Sequence, residues 1–495
     1  MHLHVDQYAH LESPLHRWNP RVKFVALFAL IVAFSLVRDL AYVPLMLAVT
    51  ALIFALSRLP LGFLITRLRY PGVFLLALVV ILPLFSGQTV LWQVGPLAIR
   101  TEGLTLMLLV VARFTAILTV SLVIFGTMTL TTSAQTLRGL GVPALLVDML
   151  LLTLRYLFEF ADMLARMQTA MRLRGFSVRR SGLNRRSAAQ VGGLIGTLLI
   201  RSFEQAEHVY KAMRLRGYGG RAQTSTTGTD AAPVASSPDR AASVPALEVR
   251  GLRFAYPGRP PVLDGIGLTV AHGERVGLIG PNGAGKTSLF LSVCGVLTPD
   301  AGTVAVYGEP VRAGHYHPQI GLVFQNPNDQ LFSPTVRDDV AFGPVNAGLD
   351  AEAVAQRVDE ALALTGSAHL IDRAPHHLSG GEKRMVAIAG VLALRPALVL
   401  YDEPDANLDM RARRRLIGFL KDAPHTLILA SHDLEMILEV CDRVLLLDGG
   451  RIIADGPPRQ IMGDAALMEA HGLEKPHSLI PHAHLNPNGA KPDAV

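Results

Sequence analysis

The segment Gly280-Pro-Asn-Gly-Ala-Gly-Lys-Thr287 places three glycines, a lysine and a hydroxyl within eight residues. Residues without side chains let backbone N–H groups close on phosphate oxygens, and a helix starting here adds its dipole. Lys286 is positioned to reach the outer phosphates, and the Thr287 hydroxyl to ligate Mg²⁺. An apolar strand precedes the loop and an apolar helix follows it, a context that an ordinary glycine-rich turn does not require. About 115 residues later, "PALVLYDEP" (Pro396–Pro404) reads as an apolar strand ending in two acids. Asp402 is expected to hold Mg²⁺, directly or through water, and Glu403 to polarise an attacking water. The chemistry implied is phosphoryl transfer to water.

The residues between and around these motifs resemble the ATP-binding cassette (ABC) family. The segment "LSGGE" at Leu378–Glu382 resembles the family's signature loop, which binds the nucleotide held by a second cassette. The resemblance gives that role to Ser379, Gly380 and Gly381. It makes Gln325 the Q-loop glutamine, which also shares Mg²⁺ with Thr287 and Asp402. Asp409 becomes the D-loop acid, and His432 the switch histidine that senses the γ-phosphate. Tyr256 matches the aromatic that stacks on adenine. Gly280, Pro281, Asn282, Gly283, Ala284, Gly285, Lys286, Thr287 and Ser288 complete the expected nucleotide contacts. Glu403, His432 and Gln325 form the expected catalytic set. The likeness runs from Ala246 to about Gly472 and implies an α/β P-loop ATPase that needs ATP and Mg²⁺. One departure is Asp405-Ala-Asn407, where Thr or Ser at the first position and Gly or Ala at the third are more usual.

The rest of the chain must supply what this ATPase drives. Half of the 495 residues are hydrophobic and only 17% are charged, with a net charge of +6. The pI is about 9.4 and the mean hydropathy +0.35. A nucleic-acid binder reaches such a pI with many more charges, so no nucleic-acid partner is expected. An arginine-rich membrane protein fits both values. Cys294 and Cys441 read as reduced core thiols. The composition breaks at residues 221–245, rich in Ser, Thr, Ala and Pro, which read as a flexible linker. The domains expected are therefore 1–220 in the membrane, 246–472 as ATPase, and a His-containing tail at 473–495.

Apolar runs at Val22–Val37, Leu40–Leu56, Val73–Leu84 and Leu104–Leu130 suggest about four spans of a lipid bilayer. Arg17, Arg21, Lys23, Arg58, Arg67, Arg69 and Arg138 then all fall on one side, the cytoplasmic one. Ala144–Phe160 and Ala188–Ile200 are read as cytoplasmic helices, because a crossing by the first would put seven arginines outside. Arg113 inside the fourth run is expected either to meet a buried structural partner or to have a functional role.

The peptide "AMRLRGF" at Ala170–Phe176 returns as "AMRLRGY" at Ala212–Tyr218. Each copy is a basic helix end closed by a glycine. Together with "GLVFQNPNDQLFSPTVRDDVAFGP" (Gly321–Pro344) and the opening "DQYAHLESPLHRWNPRVK", it resembles the energy-coupling factor (ECF) importers, especially the cobalt/nickel branch. That family carries two cytoplasmic coupling helices, each docking into a groove on one cassette. By this resemblance Arg174, Gly175, Arg216 and Gly217 are coupling residues, and Asp329, Asp338 and Asp339 are candidate acceptors. The fold class expected is an α-helical membrane domain fused to an ABC ATPase. The partners implied are a second cassette (another copy or a separate subunit) and a separate membrane subunit that captures substrate. The reading is an importer of cobalt or nickel in the inner cell membrane, its ATPase cytoplasmic. A vitamin such as biotin is the alternative cargo. A fused ABC exporter is a further alternative, but one that needs more spans. Histidines near both ends, among them His2, His4, His482 and His484, are compatible with metal.

Overall fold

The computed structural model describes residue 11 and residues 13–94, 97–173, 185–219 and 244–480. Arg174, Gly175, nearly all of the expected linker and the tail beyond residue 480 lie outside these residues. The chain forms two compact units, Met1–Leu194 and Ile195–Val495.

The first unit is helical. Its elements are α1 (Pro20–Leu36), α2 (Val43–Ser57), α3 (Leu61–Phe85), a hairpin of β1 (Val90–Val94) and β2 (Leu97–Arg100), α4 (Thr101–Gly126), α5 (Leu130–Gly139) and α6 (Ala144–Leu173). α1 starts where Pro20 takes the first helical position and the Asn19 side chain accepts the Arg21 N–H at 3.0 Å. α4 is the hub: α1, α2 and α3 all pack against it, around its buried Ala112, Ala116, Val120 and Val123. The outward faces stay apolar, with Phe28 and Val32 on α1, Leu45 and Leu52 on α2, and Ile65 and Leu76 on α3 all exposed. Such a surface suits hydrocarbon better than water.

Among the described residues, two helices are long and apolar enough to cross a membrane, Leu40–Ser57 and Thr101–Gly126. α1 has only 17 residues. α3 has 25 but carries Arg67 and Arg69 in its first half, so its uncharged apolar part is confined to its second half. The chain beyond the third run forms the β1–β2 hairpin instead of more helix. A buried lysine and a half-buried arginine close helix ends. Lys23 donates to the carbonyls of Leu15 at 3.0 Å and Thr127 at 3.1 Å, the latter just past the end of α4. Arg113 donates to the carbonyl of Val37, the C-cap of α1. Cations at helix C-termini satisfy orphan carbonyls and complement the dipole, so Arg113 has the structural partner that was one of its two readings.

α7 (Arg185–Leu215) begins in the first unit, and its residues from Ile195 belong to the second. The second unit is α/β. A four-stranded antiparallel sheet has the order β4-β3-β6-β7, formed by β3 (Leu247–Ala255), β4 (Pro261–Val270), β6 (Ala301–Val306) and β7 (Glu309–Pro310). A six-stranded sheet has the order β12-β11-β5-β10-β9-β8. Its strands are β5 (Arg275–Ile279), β8 (Ile320–Val323), β9 (Leu398–Asp402), β10 (Thr426–Ala430), β11 (Arg443–Asp448) and β12 (Arg451–Gly456). All but the antiparallel edge strand β12 run parallel. A parallel sheet covered on both faces needs continuous apolar strands, and every residue of β9 and β10 is buried. Alternate residues serve opposite layers. Leu398 and Leu400 pack with Leu289 and Phe290 of α8 (Lys286–Val293), whereas Val399 and Tyr401 pack with Leu416 and Leu420. A separate helical core joins α9 (Val336–Asn346), α10 (Ala351–Leu364) and α11 (Gly380–Leu392) through Val340, Leu362 and Val386. α12 (Met410–Lys421) and α13 (Leu434–Val440) complete the elements used below.

Candidate functional site

Four parallel strands end at one edge, and each delivers a polar group there. β5 leads into Gly280–Thr287, β8 into Gln325, β9 into Asp402 and Glu403, and β10 into His432. The crevice beyond the carboxyl ends of a parallel sheet is where ligands bind in open α/β folds.

Lys286 is buried, and its Nζ donates to the carbonyls of Gly280 at 2.8 Å and Pro281 at 3.2 Å. Ala284 packs in the core, whereas Asn282, Gly283 and Thr287 are exposed. Burial lowers the Lys286 pKa, against the fields of Glu403 and Asp402. The Thr287 hydroxyl donates to Asp402 Oδ2 at 2.8 Å. Asp402 is 3% exposed, and burial pushes its carboxyl up to about 6 despite that hydrogen bond. Glu403 sits at φ +44°, a region a non-glycine residue occupies only when its surroundings hold it there. Here its N–H donates to the Ala430 carbonyl at 2.8 Å. Gln325 Nε2 donates to Glu403 Oε2 at 2.5 Å, and His432 Nε2 lies 3.1 Å from Glu403 Oε1. His432 is also 3.4 Å from Lys286 Nζ. Thus Lys286, Thr287, Asp402, Glu403, Gln325 and His432 form one connected cluster. Tyr256 joins its flank: the phenol lies 3.2 Å from the Ser288 hydroxyl and the ring meets Phe254 edge-on.

Ser379, Gly380 and Gly381 stand apart from this cluster and start α11. Ser379 is the N-cap in a capping box, with its N–H donating to Glu382 Oε2 at 2.7 Å and its hydroxyl accepting the Glu382 N–H at 3.4 Å. Asp409 is likewise the N-cap of α12 and accepts the Ala412 N–H at 2.7 Å. The departure at Asn407 has a local reason. It adopts φ +60°, and Asn is among the few residues besides Gly that visit this region. Asp405 accepts the Ser431 hydroxyl at 2.7 Å, which ties this turn to the residue before His432.

The second copy of the repeated peptide lies on the cassette of the same unit. Arg216 is 2% exposed, Asp339 is fully buried, and Nη1 donates to Asp339 Oδ1 at 2.7 Å. The Arg216 guanidinium also lies over Phe332, 5.5 Å from the ring centroid. Asp339 is held from the other side by the N–H groups of Phe332 and Ser333, both at 2.8 Å. Gly217 follows at φ +83° as the helix ends, and the ring of Tyr218 stacks on Phe342. Of the three candidate acceptors, Asp339 meets Arg216. Asp338 is engaged by Thr335, the N-cap of α9. Asp329 instead takes Gln205 at 3.3 Å and His208 at 3.0 Å from α7. Arg174 and Gly175 lie outside the described residues.

Sequence reasoning did not single out Gln205, His208 or Arg384. The first two lie three residues apart on one face of α7, eleven and eight residues before Arg216, a signal open to inspection. Arg384 is 2% exposed and donates to the carbonyls of Phe324 at 2.7 Å and Gln325 at 2.6 Å. Cys294 and Cys441 are buried free thiols, and burial raises the pKa of both.

Two family models match the chain. The cobalt transport protein family CbiQ matches residues 12–226, and the ABC transporter family matches residues 263–406. A Synechocystis protein provisionally named as an ABC transporter ATP-binding protein is 56% identical over 235 residues, 48% of this chain and 83% of its own. An energy-coupling factor transporter ATP-binding protein of Methanothermobacter thermautotrophicus is 46% identical over 240 residues, 47% of this chain and 77% of its own. A solved structure of cbiO1 from Clostridium perfringens, described as part of the ABC transporter complex cbiONQ, is 35% identical. It covers 46% of this chain and 94% of that one, with a TM-score of 0.42.

Proposed function

Because the chain belongs to the ECF-type ABC transporters, with a CbiQ cobalt transport domain fused to an ABC ATPase domain, we propose that it powers the import of cobalt or nickel. In this reading a separate membrane subunit captures the ion, and the chain spans the inner membrane several times with its ATPase in the cytoplasm. The cobalt name of the matched family supports the cargo. The observation that carries coupling is the buried Arg216–Asp339 pair, which seats a helix end leading from the membrane domain beside the Q-loop.

Lys286 and the loop backbone bind the outer phosphates of ATP. Glu403, oriented by Gln325 and His432, accepts a proton from the attacking water. Thr287, Asp402 and Gln325 offer a hydroxyl, a carboxylate and an amide oxygen, hard donors that suit Mg²⁺. When bound there, Mg²⁺ neutralises phosphate charge. Ser379, Gly380 and Gly381 serve the nucleotide of a second cassette. In support, nothing stands within 4 Å of where a Gly380 Cβ would be, so its own fold does not require a glycine there.

The test is uptake of labelled Co²⁺, Ni²⁺ and biotin by cells that also make the capture subunit. Arg174→Ala/Arg216→Ala is expected to insert, bind ATP and fail in uptake, with each single variant partly impaired. Normal uptake by the double variant refutes the coupling role. Uptake of biotin without either metal replaces the cargo but leaves coupling intact.

A further inference from the structure

The Q-loop is gripped from several sides. Gln330, 2% exposed, donates to the Leu322 carbonyl at 2.9 Å and accepts the Phe324 N–H at 3.3 Å. Lys383 on α11 donates to Asn328 Oδ1 at 2.9 Å. Arg384, next along the same helix, binds the carbonyls of Phe324 and Gln325. Among the described residues no carboxylate lies within ion-pair distance of Arg384, and its Nε has no hydrogen-bond partner. Burial accordingly lowers its pKa to about 10, although the fields of Asp405 and Asp402 oppose the shift.

A buried cation bonded only to neutral carbonyls is an expensive way to pack a helix against a loop. An apolar side chain of similar volume would do that without desolvating a charge. What the guanidinium adds is geometry: two donors in one rigid plane, aimed at two successive carbonyls. Those carbonyls flank the Cα of Gln325, whose side chain reaches Glu403 at 2.5 Å. The anchor is also mounted on the helix that begins at the signature loop, with Ser379 as its N-cap.

We infer that Arg384 is a positioning residue for ATP hydrolysis: from the signature helix it holds the backbone of Gln325 and thereby sets the contact between Gln325 and Glu403. It touches neither substrate nor reacting atoms. A small displacement of a group that orients the base costs turnover rather than affinity, and a shift of about 1 Å can cost about 100-fold.

The full-length protein, reconstituted in lipid, is assayed for ATPase kcat and KM and for binding of a fluorescent ATP analogue. Arg384→Met is expected to lower kcat about tenfold or more while KM and analogue binding change less than about twofold. Arg384→Lys is expected to recover part of kcat. The decisive readout is a double-mutant cycle with Gln325→Ala. If Arg384 acts through Gln325, adding Arg384→Met to Gln325→Ala costs less than about twofold more. Losses that multiply in the cycle, or an unchanged kcat in Arg384→Met, overturn the inference. Should Arg384→Met fail to fold, the cycle is run with Arg384→Lys, which keeps the charge but not the planar pair of donors, and multiplying losses there overturn it equally.

Discussion

Two adjacent acids at the end of β9 are set in different surroundings. Asp402 is 3% exposed and bound by Thr287. Glu403 is turned by its left-handed backbone toward Gln325 and His432. Glu403→Gln should therefore keep ATP binding and lose about 10²- to 10⁴-fold in hydrolysis, the usual loss for a general base. Near-normal turnover would show that another group takes the proton. Lys286→Ala should instead weaken nucleotide binding itself. A pH effect belongs to His425, which lies 3.0 Å from the Tyr401 hydroxyl and whose pKa burial lowers to about 4. The unfolded chain binds that proton near pH 6.5 and the folded chain only near 4, so stability present above 6.5 is lost as pH falls toward 4. The loss is about 3 kcal/mol at most. Thermal melting of the full chain from pH 7 to 4 should fall less steeply in His425→Gln, and an equal slope would remove His425 as a cause.

Neighbouring glycines on α11 separate the needs of the element from those of the site. A Cβ at Gly381 would stand 2.7 Å from Ala412 Cβ on α12, whereas one at Gly380 would meet nothing within 4 Å. Gly381→Ala should destabilise the cassette by about 1–3 kcal/mol, the usual cost of overpacking. Gly380→Val should leave melting nearly unchanged and, if the signature loop serves the second cassette's nucleotide as proposed, reduce ATPase activity. Equal melting of the two variants would show that the α11–α12 contact relaxes at no cost. At the end of α7, Arg216→Ala leaves Asp339 buried with two backbone donors and no counter-charge. Removing one member of such a pair costs about 3–5 kcal/mol. Its loss should therefore release the helix end from the cassette, rather than behave as an exposed arginine would.

The whole chain joins a helical unit with an apolar outer face to an α/β unit that holds one phosphate loop and one signature loop. In the proposed assembly each nucleotide lies between two cassettes, so hydrolysis depends on association. Full-length Glu403→Gln with Mg-ATP should sediment as a larger particle than without nucleotide. An unchanged sedimentation coefficient at saturating ATP would argue against the composite site, and the stoichiometry of the larger particle would distinguish a second copy from a separate cassette.

The phosphate loop, the acidic strand end and the signature loop were legible in the sequence because each works through a short strand-loop-helix segment. Each is a run of residues adjacent in the chain, so its pattern shows without the fold, whereas Gln325 and His432, which orient Glu403, come from other strands. The repeated peptide was legible for the same reason, as identity between two segments. Tertiary structure alone decided which acid meets Arg216. Asp329, Asp338 and Asp339 have the same chemistry, and only the seating of α7 against α9 buries the third while the others bond elsewhere. It also decided the surroundings of Arg384, whose acceptors are main-chain carbonyls about 60 residues away. A carbonyl carries no side-chain identity, so no pattern of residue types announces it. The end of α3 at Phe85 and the hairpin after it follow the same logic. Composition records how apolar a stretch is, but where a helix stops is settled by the backbone groups that its neighbours satisfy.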